Sequence, residues 1–395
     1  MNYIVTKRKD YFAKIGKYNY ADLTIFKDKI KYLKEIAIDT ETTSLKFYKG
    51  EMFSLQVGTG TDNFLFDLET ISVHDTIPLI IDKILVFHNA AFDLTWFYKY
   101  NYFPWKVRDT FLASKILYNG LPYIRHGFGF VMERELNIHY DKSEQKNIAL
   151  IKLSTNRAIQ YCFNDVDKLL ELKKVLHTKI YKGGFTQVYN LHCKWIRAFA
   201  YMQTCGIPIN EDKWKEKIKE DKKELKTKSD IVSHYIYDHL PKYRETQLSL
   251  FDTEKKINVS ITSPLQMISV FEDLGINVED KDKKSGKSIS ENIINKTKHE
   301  FVDIWLDYQS INHDVTTFGE NFLPSIYQGR LYTSYSPILD TARISAGGKN
   351  KQKGEIDDVN TLNIPANQKS REPFEAKKGY KYLVADYEGQ IGIVL

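Results

Sequence analysis

Ile38-Asp39-Thr40-Glu41-Thr42-Thr43-Ser44-Leu45 closes an apolar run that starts at Glu35-Ile36-Ala37. How that run is read decides the fold. Read as a β-strand, it points successive side chains to opposite faces, so Asp39 and Glu41, two apart, project to the same side at the strand's end. Two oxygen ligands then meet at one point. Taken alone, an Asp-x-Glu of this kind is ordinarily a solvated strand terminus. Working outward, residues 53–58, 63–67 and 84–88 are further short apolar runs and read as strands, while 90–100, 111–117 and 157–174 read as helices. Strands giving way to longer helical stretches between about 32 and 174 predict an α/β architecture built on a sheet.

The pattern breaks at Tyr181-Lys182-Gly183-Gly184, where a domain boundary is expected. This divides the chain into 1–184 and 185–395. The second part reads as mostly helical. An apolar helix is expected over 191–205, and a Lys/Glu-rich one over 211–239 in which Trp214, Ile218, Leu225 and Val232 recur at helical spacing. Its lysines read first as a solvated face and second as phosphate contacts. No internal repeat is found.

Bulk properties bound the function. A chain of 395 residues exceeds what one core usually serves, and 42% hydrophobic residues, with 22 Phe and 26 Tyr, supply two. The formal charge of +6 permits a polyanionic partner without demanding one. Cys162, Cys193 and Cys205 are too few and too far apart for a disulfide framework or a C-x-x-C ligand pair, which fits a reducing compartment. Charged residues interrupt residues 1–20, and no apolar run approaches the ~18 residues of a membrane span. The expected location is cytoplasmic, in a bacterial or a virus-infected host cell, with no membrane partner.

Two further segments carry acids. His88-Asn89-Ala90-Ala91-Phe92-Asp93 follows a strand and opens a helix, which places Asp93 on the first turn. Singly, Asn89 reads as an N-cap and Asp93 as a first-turn acid favoured by the helix dipole. Tyr161-Cys162-Phe163-Asn164-Asp165 lies within a helix, where a four-residue step sets phenol and carboxylate on one face. Each segment has an ordinary structural explanation. Their joint order, Asp-x-Glu, then Asn-x-x-x-Asp, then Tyr-x-x-x-Asp, does not.

In that order the chain resembles the DEDDy 3′→5′ exonucleases, and within them the proofreading domain of family A DNA polymerases, over about 30 to 180. Arg108-Asp109-Thr110, Arg125-His126-Gly127-Phe128 and Asp141-Lys142-Ser143-Glu144-Gln145-Lys146 support the match. The resemblance implies a ribonuclease H-like domain, a mixed sheet flanked by helices. It implies Asp39, Glu41, Asp93 and Asp165 as ligands of two Mg²⁺ or Mn²⁺ ions, which suit all-oxygen donors. Hydrolysis of a phosphodiester needs an acidified water and a stabilised 3′ leaving oxygen, and a metal pair supplies both. Tyr161 takes the place of a tyrosine that aims the water; a phenol of pKa ~10 stays protonated near neutrality and orients rather than deprotonates. Thr40, Leu45, Asn89 and Phe92 take substrate-contact positions, and readout is expected to be sequence-independent.

Residues 185–395 resemble the thumb and first palm segments of the same polymerases. Met202-Gln203-Thr204-Cys205-Gly206-Ile207-Pro208, Ser263-Pro264-Leu265-Gln266, Ser285-Gly286-Lys287-Ser288 and Gly329-Arg330-Leu331-Tyr332-Thr333-Ser334 occur in the expected order. Thr341-Ala342-Arg343-Ile344-Ser345 and Leu362-Asn363-Ile364-Pro365 imply primer-template contacts through Arg343 and Asn363. Leu383-Val384-Ala385-Asp386 looks like the palm motif, with Asp386 as a metal ligand. After Gln390 the pattern departs. The family continues with an acid, an apolar residue and an arginine, whereas this chain reads Ile391-Gly392-Ile393-Val394-Leu395. The expectation is an incomplete polymerase half that does not polymerise alone and is completed by a second chain. DNA is the expected partner, as a single-stranded 3′ end and a primer-template duplex. A primer-template binding subunit without catalysis and an RNA-processing exonuclease are the competing readings.

Overall fold

The computed structural model describes residues 1–121, 123–140, 147–245, 256–336, 338–339, 343–349 and 356–384. Among the described residues seven strands pair into one sheet, the central ones rich in Ile, Val, Leu and Phe: β1 (Asn2–Val5), β2 (Asn19–Ala21), β3 (Glu35–Thr42), β4 (Met52–Gly58), β5 (Asn63–Asp67), β6 (Ile84–Phe87) and β7 (Val107–Asp109). Their order across the sheet is β2-β1-β5-β4-β3-β6-β7. The meander β3-β4-β5 is antiparallel, and the strands added on either side run parallel to their neighbours, so the sheet is mixed. In the β3–β4 ladder Asp39 stands opposite Gln56 and Glu41 opposite Ser54, with a register shift after Glu41. A shift of that kind re-aims side chains at a strand end.

Among the described residues ten α-helices accompany the sheet: α1 (Lys9–Ile15), α2 (Leu23–Ile30), α3 (Val73–Thr76), α4 (Ala90–Lys99), α5 (Thr110–Tyr118), α6 (Phe128–Leu136), α7 (Ile148–Ile151), α8 (Asn156–Asp167), α9 (Leu169–Lys182) and α10 (Thr186–Cys205). The single helix expected over 157–174 is two. Lys168, at φ −109° and ψ 7°, breaks it. The break lets α8 lie across β3, β4 and β5 while α9 turns to α5 and β6. α8 is held at its start by Thr155, whose hydroxyl accepts the Ala158 N–H, and near its end by Asp167, which accepts from the Asn63 side chain. Below it Gly58 has no room for a side chain, since a Cβ there would sit 2.6 Å from the Val166 carbonyl oxygen. This close helix-to-sheet contact falls one residue from Asp165.

By contacts the described chain divides into two units. The first is Met1–Gly206 with Tyr332–Leu362, the second Ile207–Leu331 with Asn363–Leu395. The turn at Gly183-Gly184 lies between α9 and α10, and α10 stays with the first unit because its Tyr189, Cys193, Ile196 and Ala200 share the core of Phe87, Leu94 and Phe97. In the part that rejoins the first unit, Tyr335–Ser336 pairs antiparallel with Ser345–Ala346.

The second unit joins three two-residue strands, β8 (Ile207–Pro208), β9 (Ile326–Tyr327) and β10 (Arg330–Leu331), to α11 (Glu211–His239), α12 (Pro264–Asp273), α13 (Glu291–Ile294), α14 (Glu300–Phe318) and α15 (Gln368–Arg371). Its own core is built from Val232, Ile236, Met267, Phe271, Phe301 and Trp305. Among the described residues no helix is long and apolar enough to cross a membrane.

Candidate active site

Alternation along β3 sends Asp39 and Glu41 to one side and Thr40 to the other. α8 covers the first side and carries Asp165 there, nearly three turns beyond the Thr155 cap. Asp39, Glu41 and Asp165 each offer a carboxylate oxygen, and these atoms lie within 4.8 Å of one another. Glu41 is buried, and burial, then Asp165 and Asp93, hold its carboxyl well above the usual range. Three carboxylates this close cannot all ionise without a cation among them. Oxygen-only donors at this spacing fit a hard divalent ion.

Asp93 approaches from the other side. Its helix, α4, starts after β6, and the Thr40 hydroxyl donates to Asp93 Oδ1 at 2.7 Å. Asp93 is 4% exposed, and burial pushes its carboxyl up to about 8 in spite of that hydrogen bond. The structure thus brings three of the four expected acids into one cluster and sets the fourth against Thr40, close enough to raise Glu41. Thr40 itself is buried.

Tyr161 is nearly buried on α8, and its phenol is raised by burial first and by Asp165 second. A second phenol was not singled out from the sequence. Tyr140 donates to Asp165 Oδ1 at 2.5 Å, its ring 6.4 Å from that of Tyr161. It lies outside any helix, so no periodicity relates it to α8. Cys162 is fully buried beneath the same acids, and burial raises its thiol.

Asn89 does not cap α4 with its side chain. It sits at φ 77°, ψ 53°, the left-handed region that asparagine tolerates better than most residues. Asp109, fully buried, fixes that turn: its carboxylate accepts the N–H groups of Asn89 (3.1 Å), Ala90 (2.9 Å), Phe111 (2.7 Å) and Leu112 (3.3 Å). One acid thereby closes the β6–α4 junction and caps α5. Next to it His88 Nε2 donates to the His126 carbonyl at 3.0 Å, which ties in the Arg125-His126 segment.

Leu45, 78% exposed, lines a cavity of about 190 Å³ together with Asn89 and Phe92. Arg343, in irregular chain, and Asn363, at the end of the 3-10 helix Thr361–Asn363, are exposed, and neither lines that cavity. Asp386 and the segment Asp141–Lys146 lie outside the described residues.

Comparison with known proteins gives three findings. Residues 17–181 match the DNA polymerase A family described as 3'-5' exonuclease. DNA polymerase I of Aquifex aeolicus is 26% identical over 57% of this chain, and DNA polymerase I of Borreliella burgdorferi is 24% identical over 98% of it; the chain spans 41% of the length of each. Among solved structures, the POL domain of Pol1 from M. smegmatis, in complex with DNA primer-template and dNTP, has the same fold over 91% of this chain and 58% of its own, with a TM-score of 0.69 at 16% identity.

Proposed function

We propose that this relative of the family A DNA polymerases, whose residues 17–181 match the family's 3′-5′ exonuclease, removes nucleotides from the 3′ end of DNA by two-metal-ion hydrolysis, in proofreading. The observation that carries this reading is the convergence of Asp39, Glu41 and Asp165. When divalent cations are bound, they acidify water and stabilise the departing 3′ oxygen. Asp39, Glu41 and Asp165 would hold them, and Asp93 would complete the set from α4. Tyr161, kept protonated, hydrogen-bonds the attacking water and aims it at the terminal phosphorus. Leu45 and Phe92 pack against the terminal nucleotide, and Asn89, fixed in its turn by Asp109, meets the strand.

Primer-template binding without independent catalysis is the second reading. It draws on the fold shared with a polymerase whose structure contains primer-template DNA, and it would use Arg343 and Asn363 as duplex contacts. Degradation of 5′-labelled single-stranded and 3′-mismatched oligonucleotides separates the two. The exonuclease reading expects stepwise loss of 3′ nucleotides with Mg²⁺ and none with EDTA. It also expects Asp165→Ala to slow release by about 10³-fold or more, a loss of about 4 kcal/mol in transition-state stabilisation. Undiminished digestion by that variant refutes it, and binding without digestion by the wild type favours the second reading.

A further inference from the structure

The cavity lined by Leu45, Asn89 and Phe92 is also walled by two stretches remote in sequence. Phe47 and Tyr48 come from the 3-10 turn Phe47–Lys49 that follows β3. Tyr332 and Thr333 come from the point at which the chain rejoins the first unit. Tyr48 and Tyr332 stack with ring centroids 4.2 Å apart and 20° between planes, and Phe47 meets Tyr332 edge-on at 5.5 Å. The returning stretch is anchored on both sides: Thr333 donates to the Val359 carbonyl at 2.5 Å, and Gln203 donates to the Tyr335 carbonyl at 3.2 Å.

Three features specify what the cavity takes. Both stacked tyrosines are only half-buried, so aromatic surface remains accessible beside the cavity. At about 190 Å³ the space is smaller than a typical small-molecule site and suits one planar group. The same wall includes Phe92, adjacent in sequence to Asp93, and Lys46, a cation for a neighbouring phosphate. Flat aromatic surface with a nearby lysine is the chemistry that holds single-stranded nucleic acid, since every base has a face to stack.

We infer that the Tyr48–Tyr332 stack is a nucleobase platform for the single-stranded 3′ end, so that residues beyond the helical unit help to form the exonuclease's strand-binding surface. The inference rests on the exonuclease reading above. It separates the platform from the acids: Tyr332 sets how firmly a strand is held, whereas the carboxylates set whether it is cut. Because stacking ignores base identity, the platform favours no sequence but requires a base.

The test uses the whole chain carrying Asp39→Ala, so that the strand survives, and measures fluorescence anisotropy with a 5′-labelled oligonucleotide. The strand is intact or lacks one base at each of its last four positions in turn. Tyr332→Leu, which keeps apolar bulk, should weaken binding of the intact strand about 5- to 100-fold, the range expected for loss of one stacked base. Tyr332→Phe should retain it. For the strand that lacks the stacked base, the protein that keeps Tyr332 and the Tyr332→Leu variant should bind alike. Equal weakening on every strand, or none on the intact one, overturns the inference. A melting temperature for each variant identifies a folding defect, and Tyr48→Leu then provides the same test from the other ring. Nucleotide release by the wild type with Mg²⁺ is scored separately: its absence defeats the exonuclease reading on which the inference rests, whereas release by the wild type with binding that Tyr332→Leu leaves unchanged defeats the platform alone.

Discussion

Asp109 holds four backbone N–H groups with one buried carboxylate, and the turn it fixes presents Asn89 and starts the helix that carries Asp93. Asp109→Asn places an amide donor among those donors and should lower stability by about 2–3 kcal/mol in urea unfolding. Burial pushes this carboxyl from 3.8 up to about 6. A folded value above the unfolded one means that the folded state binds the proton more tightly, so this contribution is fully present below about 3.8 and is lost as pH rises through about 6. The variant should therefore show a shallower decline in stability across that window than the wild type; equal slopes would contradict the assignment. At the acidic cluster the same sign governs cation binding. Glu41 and Asp93 are both raised, chiefly by burial, so a cation must displace protons. Mg²⁺ affinity measured by calorimetry should increase between about pH 7 and 9 with proton release, and a pH-independent affinity would count against ligation there. Tyr140→Phe removes the hydroxyl on Asp165 and should reduce Mg²⁺ affinity or nucleotide release about 10- to 100-fold, as loss of a ligand's hydrogen-bond partner does.

Of the elements, α8 depends most on close packing. Gly58→Ala would force the helix off β4 at Val166, which should cost about 1–3 kcal/mol and slow nucleotide release, because Tyr161 and Asp165 move with the helix. Unchanged release with lowered stability would show that the helix accommodates the methyl. The sequence made this part of the site readable because its spacings are those of regular structure: Asp39 and Glu41 at the strand period, Tyr161 and Asp165 at the helical one. Residues 63–67 were legible as β5 for the same reason, being apolar and bounded by turns. β1, β2 and β7 were not, since Asn2, Asn19, Arg108 and Asp109 break up their three or four residues, whereas the equally short β6 is an unbroken apolar run. Nor could spacing show that Thr40, facing away from its neighbours, would take Asp93 aside, or that Tyr140 would reach Asp165 from irregular chain. The break at Lys168 was hidden because no glycine or proline marks it; the two helices part to follow different neighbours.

For the molecule as a whole, a boundary read along the chain cannot express that residues 332–362 rejoin the first unit. Nothing in the composition near Tyr332 signals the return, and only the paired contacts reveal it. Each unit has a separate core, so scanning calorimetry should resolve two transitions. Phe271→Ala should lower one of them by an amount equivalent to about 3–5 kcal/mol, while Mn²⁺ should raise the other. A single transition that both perturbations move would contradict this division. The convergence of the acids on a metal pair is tested most sharply by counting the Mn²⁺ ions bound by the whole chain with a nucleoside 5′-monophosphate present, using paramagnetic resonance, in the wild type and in Asp39→Ala. Cooperating carboxylates from β3, α4 and α8 predict two ions in the wild type and their loss in a variant that melts at the wild-type temperature. Binding that the substitution leaves unchanged would contradict it.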